Sequence, residues 1–212
     1  MGEYLAHVVS PSDLFTAVLK ELATSSLLRG FKRRGSYLRR RVDCNQLLVN
    51  LQRSTSSTRD HIRFVVNVGI VCDTLLRFFL EEDARPSGAD HANSHWRMRV
   101  GNPQERWFEI DASTDPVTLA REVEDELRPV LEQASAALSD AALVSIWKSG
   151  RGPGLGDFEL TKNLAVLAKK IGDDAALESA LAAMQELVDR HDYIRATATV
   201  FRSKLEVWQD PT

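Results

Sequence analysis

The chain has 212 residues, 43% of them hydrophobic, and a formal net charge of −3, which suits one globular domain or one domain with a helical annex. No apolar run approaches the roughly 20 residues that a membrane span needs, and two cysteines, Cys44 and Cys72, are too few for a disulfide framework. Composition therefore argues against a membrane-spanning helix and a disulfide scaffold, and points to a reducing cytoplasm.

The first seven residues lack a basic segment followed by an apolar one, so no signal peptide is expected. Gly2 follows Met1, but Glu3 to Ala6 lacks the Ser or Thr of a myristoylation motif. The net charge hides an asymmetry. Residues 1–110 carry 16 Lys and Arg against 12 Asp and Glu, whereas residues 111–212 carry 11 against 18. Such a split implies either an anionic partner for the first half or mutual attraction of the halves.

In chain order, Ser10-Pro11-Ser12-Asp13 opens a helix, with Ser10 as N-cap and Pro11 in the first turn. Leu14, Phe15, Val18, Leu19 and Leu22 form its apolar stripe, and Gly30 ends the segment. Ser36 to Val42 then alternates as a strand. Seven basic residues and no acid fall between Arg29 and Arg41. Lys32, Arg33, Arg34, Arg39 and Arg41 are the candidate basic patch. The patch reads either as an edge strand defended by charge or as an anion-binding surface.

Gln46 to Val71 reads as two antiparallel strands at the centre of a sheet. Leu47, Val49 and Leu51 share one face of the first, and Ile62, Phe64, Val66, Val68 and Ile70 one face of the second. The opposite faces are mostly polar, which predicts a sheet packed on its core by one face only. Ser54 to Asp60 is a longer hairpin loop without Gly. Cys72 to Leu80 extends the strand or forms a short helix, and Glu81 to Ser94 reads as a polar loop. His95 to Gly101 alternates again, and Arg106 to Ile110 suggests a fifth strand.

From Asp115 the period changes to about 3.6. Asp115 and Pro116 start a helix that Pro129 should kink or stop, unless a new one starts there. Ala136 to Lys148 continues as helix, Gly150 to Gly156 is a flexible connection, and Phe158 to Ile171 is helical. A last long helix, capped by Asp173 or Asp174, runs to Trp208. The expected architecture is α+β: an N-terminal helix, an antiparallel meander of four to five strands and a helical C-terminal region. The expected division is residues 1–112 and 113–212.

The motifs Gly30-Phe31-Lys32-Arg33-Arg34-Gly35, Asn50-Leu51-Gln52-Arg53-Ser54, Phe64 to Ile70 and His95-Trp96-Arg97-Met98-Arg99 occur in a definite order and spacing. Over about residues 10–110 the chain resembles the bacterial domain-of-unknown-function family numbered 4304. The resemblance implies a small α+β domain with an antiparallel sheet, and brings no activity with it.

The polar sheet face is the candidate site. Asn50, Gln52, Arg63, Asn67, Arg97 and Arg99 can converge there, with Arg53 in the adjoining motif and His95 at one end. Arg and amide side chains suit carboxylates, phosphates or backbone amides. The same residues would equally serve as buried partners tying helices to the sheet. Metal ligation is not expected, since neither His91 and His95 nor the two cysteines have ligand spacing. The Gly150–Gly156 stretch lacks the ending of a P-loop. No acid shares a face with Ser54 and His95 to complete a triad.

The reading is a non-enzymatic protein-interaction or ligand-binding module without cofactor, taking a protein partner or anionic ligand, with no membrane partner and its oligomeric state open. Nucleic-acid binding through Arg29 to Arg41 is less favoured, because the pI is near 6.0. A small enzyme acting on a phosphorylated or carboxylated substrate is the third alternative.

Overall fold

A computed structural model of the chain describes residues 9–80, 93–150 and 152–209. The leader and myristoylation readings, and the polar loop over 81–92, lie outside the described residues.

The first helix, α1 (Pro11–Thr24), starts as its sequence dictates. Ser10 Oγ accepts from the Asp13 backbone N–H and the Asp13 side chain reaches back, completing a capping box. Six strands follow: β1 (Lys32–Arg34), β2 (Tyr37–Val42), β3 (Asn45–Arg53), β4 (Ile62–Val71), β5 (Trp96–Arg99) and β6 (Phe108–Ile110). They form one antiparallel sheet in the order β1-β2-β3-β4-β5, with β6 also paired to β4. The sheet thus has one strand more than the four or five expected. The extra one is β1, made possible by Gly35, whose φ of +61° closes a two-residue turn.

The helices are α2 (Asp73–Phe79), α3 (Pro116–Ala136), α4 (Asp140–Lys148), α5 (Asp157–Ile171), α6 (Asp174–Arg190) and α7 (Arg195–Val207), with a 3₁₀ turn at Asp192–Ile194. The last helix is therefore broken at His191 and not continuous to Trp208. Of the two expectations for Cys72 to Leu80, the helix is the one found.

Pro129 does not stop its helix: α3 runs through it. Val123, Leu127, Val130 and Ala134 bury one side of α3, while Pro129 and Asp125 are exposed. The Asp125 carbonyl that loses its bond to the missing Pro129 N–H faces the water side. The expected continuity from Ala136 to Lys148 also fails. Ser139 caps a new helix, its side chain accepting from the Ala142 N–H.

The expectation of a sheet buried on one face only is overturned. Leu48, Asn50, Val65 and Asn67, all on the side opposite Val49 and Phe64, are buried as well. Two buried faces explain why β4 reads as Val-Val-Asn-Val-Gly-Ile-Val, nearly continuous apolar sequence.

The chain divides into two compact units whose boundary cuts through strands and through α3. The first comprises the described residues of Met1–Arg40, Leu48–Val68 and Met98–Gln133, and the second those of Arg41–Leu47, Gly69–Arg97 and Ala134–Thr212. The division expected at residue 112 falls inside the first unit. Its core contains Phe15 set edge-on to Phe64, and Phe64 stacked on Phe108, both at 5.3 Å between ring centres. The second unit has its own aromatic cluster, Phe78 against Phe201 at 5.5 Å and against Trp208 at 5.4 Å.

Candidate functional site

The polar face of the first unit is assembled by strand register. Leu38 is fully buried, so its neighbours Tyr37 and Arg39 turn to the other side of β2. Lys32 of β1 stands opposite Arg39, and Arg34 opposite Tyr37. The Leu51 N–H donates to the Ser36 carbonyl at 3.0 Å, which sets Tyr37 beside Asn50. The Ser54 N–H donates to the Arg63 carbonyl at 2.8 Å, which sets Asn50 opposite Asn67. One surface therefore carries Lys32, Arg34, Tyr37, Arg39, Asn50, Gln52, Asn67 and Arg63, with Arg99 bonded to it through Asn67.

Part of this surface is already bonded. Asn67 Nδ2 donates to Gln52 Oε1, and Arg99 Nε donates to Asn67 Oδ1, each at 3.0 Å. Arg99 also pairs with Glu105. Asn50 Nδ2 donates to Ser36 Oγ at the hairpin turn, 3.2 Å away. Arg63 lies 3.0 Å from Glu109, its cross-strand neighbour on β6, and against the Trp107 ring. The Arg63 Nε–H is not aimed at that carboxylate, so the pair rests on proximity of charge.

Other expected members lie elsewhere. Arg53 alternates to the α1 side, where its guanidinium sits 4.2 Å from the centre of the Phe15 ring. Arg97 belongs to the second unit, donates to the Gly154 carbonyl at 2.5 Å and pairs with Glu159 at 3.5 Å. His95 is also in the second unit and is buried.

The basic patch is differently placed. Lys32, Arg33 and Arg34 are all exposed. Among the described residues, Lys32, Arg33, Arg39, Arg40 and Arg41 form no ion pair with a carboxylate. Arg33 Nε donates to the Gly35 carbonyl and Arg41 Nε to the Asp43 carbonyl, each at 3.2 Å. Arg39 lies over the Tyr37 ring and Arg40 over the Phe31 ring, both at 5.0 Å. The Nε atoms of Arg39 and Arg40 are shielded from water and have no acceptor. Like charges directly opposite each other, as Lys32 and Arg39 are, destabilise a sheet.

A second polar assembly lies wholly within the second unit and was missed by sequence reasoning. The Asp140 carboxylate accepts from Lys170 Nζ at 2.9 Å, Thr74 Oγ1 at 3.1 Å, Asn45 Nδ2 at 3.2 Å and Cys72 Sγ at 3.3 Å. Asn45 Oδ1 accepts from the Asp73 N–H at 3.1 Å, capping α2 from a distant strand because Cys72 offers no side-chain cap. Asp140 itself opens α4, where a carboxylate complements the helix dipole. The partners lie 30 to 95 residues from Asp140 in sequence, so no local motif announces them. The only local signal was the Ser139-Asp140 pair, which reads as a helix start.

Burial alone would push the Asp140 carboxyl up. The bonds from Lys170, Asn45 and Cys72 outweigh it and hold the group below the ordinary carboxylate range. Burial, reinforced by the Asp140 charge, pushes the Cys72 thiol far up, so it stays protonated and is no nucleophile. His95 Nδ1 accepts from the Cys72 backbone N–H at 3.0 Å, so it does not contact the sulfur as a base. Burial, followed by the nearby Arg97 charge, lowers His95 to about 4. This assembly joins a strand end, two helix starts and a helix end. It has neither the activated nucleophile nor the poised base that covalent catalysis needs.

No group of three or more His, Cys, Asp or Glu among the described residues is arranged to hold a metal ion. No helix among them is long and apolar enough to cross a membrane. No curated protein and no solved structure matches the chain. A family model matches residues 25–147, leaving α1 outside and taking in α3 and nearly all of α4. The chain belongs to the family described as Domain of unknown function (DUF4304), whose family model covers more than half of its length.

Proposed function

We propose that the chain is a non-enzymatic binding module that holds an acidic segment of a partner protein on the basic, amide-rich face of its first unit. Lys32 and Arg39 supply charge, and Gln52 and Arg99, both tied to the buried Asn67, supply amide and guanidinium groups. Arg63 completes the face, and Asn50 lies buried beneath it. The single observation behind this reading is Lys32 facing Arg39 across the strand pair with no carboxylate beside them among the described residues. An incoming carboxylate relieves that repulsion. Two free cysteines agree with work in a reducing cytoplasm.

Fluorescence anisotropy with a labelled glutamate-rich peptide tests the reading. The expected result is binding that weakens as salt rises and falls at least tenfold in a Lys32→Glu, Arg39→Glu protein. Unchanged affinity in that variant overturns it. The stacked pairs Arg39–Tyr37 and Arg40–Phe31 favour one competing reading, single-stranded nucleic acid. A labelled oligonucleotide that outcompetes the peptide at physiological salt replaces the first reading with this one.

A further inference from the structure

Resting on that reading, we infer that the acidic segment binds as an added strand along the outer edge of β1. β1 is the terminal strand in the sheet order, and among the described residues nothing pairs with its far side. All three of its residues are exposed. The turn at Gly35-Ser36 makes Arg34 and Tyr37 the closing pair of a two-residue hairpin. In such a hairpin the closing pair exchanges its own backbone bonds, and the next pair does not. Arg33, opposite Leu38, therefore turns its N–H and C=O outward, away from β2. These groups are what an extended peptide needs in order to join a sheet edge.

The side chains add a filter. Lys32 and Arg34 project to one face and Arg33 to the other. A peptide strand laid beside β1 sets every second residue next to Lys32 and Arg34. Asp or Glu at alternate positions is then met by opposite charge, while a neutral or basic strand is not. Charge on an edge strand ordinarily deters pairing with copies of the same chain. Here the charge extends to Arg39 on the second strand, beyond what guarding the edge requires, and so selects the strand that is admitted. Three residues supply few backbone bonds, so affinity is modest and salt-sensitive.

The probe is a nonapeptide of alternating Glu and Thr, measured against the full chain in three forms: unmodified, N-methylated at the Glu residues and N-methylated at the Thr residues. A strand directs alternate N–H groups to opposite edges. Methylation of one set is expected to lower affinity at least tenfold, and methylation of the other to leave it within threefold. Slowed exchange of the Arg33 amide on adding the unmodified peptide is expected alongside. Equal affinity of all three forms overturns strand addition and leaves the basic-face reading standing. Absence of binding by the unmodified form overturns both.

Discussion

Two regions of this molecule use similar side chains to opposite ends. In the second unit, Lys170 and Asp140 meet at 2.9 Å, and Thr74, Asn45 and Cys72 occupy the rest of the carboxylate. The side chain of Asp140 is 11% exposed and that of Lys170 is 24% exposed. In the first unit, Lys32 and Arg39 face each other with no acid to answer them. Density of charge in the sequence does not separate these cases. Burial does, because a charge taken out of water must be paired, whereas an exposed cation is answered by solvent. The closed assembly is therefore a matter of stability, and the exposed basic strand is where binding is proposed.

That contrast sets the order of the expected effects. Asp140→Ala removes the carboxylate that Lys170, Thr74, Asn45 and Cys72 share. It should cost about 3 kcal/mol and lower Tm by roughly 6–12 °C, read by scanning calorimetry. A loss below about 2 °C would remove the distinction between the closed region and the open one.

His95 supplies a pH-dependent effect of similar size. Its folded value, about 4, lies below its ordinary 6.5. The unfolded chain therefore takes up the proton first, and stability declines as pH falls from about 6.5 toward 4. The whole decline amounts to about 3 kcal/mol. Asp140, held low, adds stability that is present above its ordinary 3.8 and is lost only below it, so the two windows are separable. His95→Asn keeps an acceptor for the Cys72 N–H and should flatten urea-derived stability between pH 6.5 and 4.5. A variant that keeps the wild-type slope there would assign the titration to another group.

Smaller effects belong to the first unit. Arg99→Ala strips the buried Asn67 Oδ1 of its donor, which should cost about 1–2 kcal/mol in urea unfolding. A neutral result would mean that the Gln52–Asn67–Arg99 row is not held by its bonds. Lys32→Ala should be the mildest, leaving stability unchanged or raised by a few tenths of a kcal/mol as the cross-strand repulsion disappears. A clear loss of stability would show that Lys32 serves the fold and would weaken its assignment to binding.

Local rules carried much of this structure. The Ser10 N-cap, the period-two runs of β3 and β4 and the Asp115-Pro116 helix start depend on neighbours within about four residues. Each acted as backbone sterics and capping require. Failures fell where distant packing decided. Pro129 stayed in α3 on its exposed side, where the orphaned Asp125 carbonyl lies, and Leu48, Asn50, Val65 and Asn67 on the second face of β3 and β4 were buried as well. Arg97 and Arg99, two residues apart on β5, were read as one site. One bonds the Gly154 loop and the other bonds Asn67.

What the sequence determined by itself was therefore the kind of element at most positions, the α+β class and the acid-free basic run. These follow from side-chain period, caps and charge, all short-range properties of a chain. What tertiary structure alone decided was which polar groups are satisfied. Asp140 acquires its partners from residues 30 to 95 positions away, and Arg39 acquires none that is acidic among those described. Pairing depends on which segments are brought within about 3 Å of each other, and that distance is set by packing, not by order along the chain.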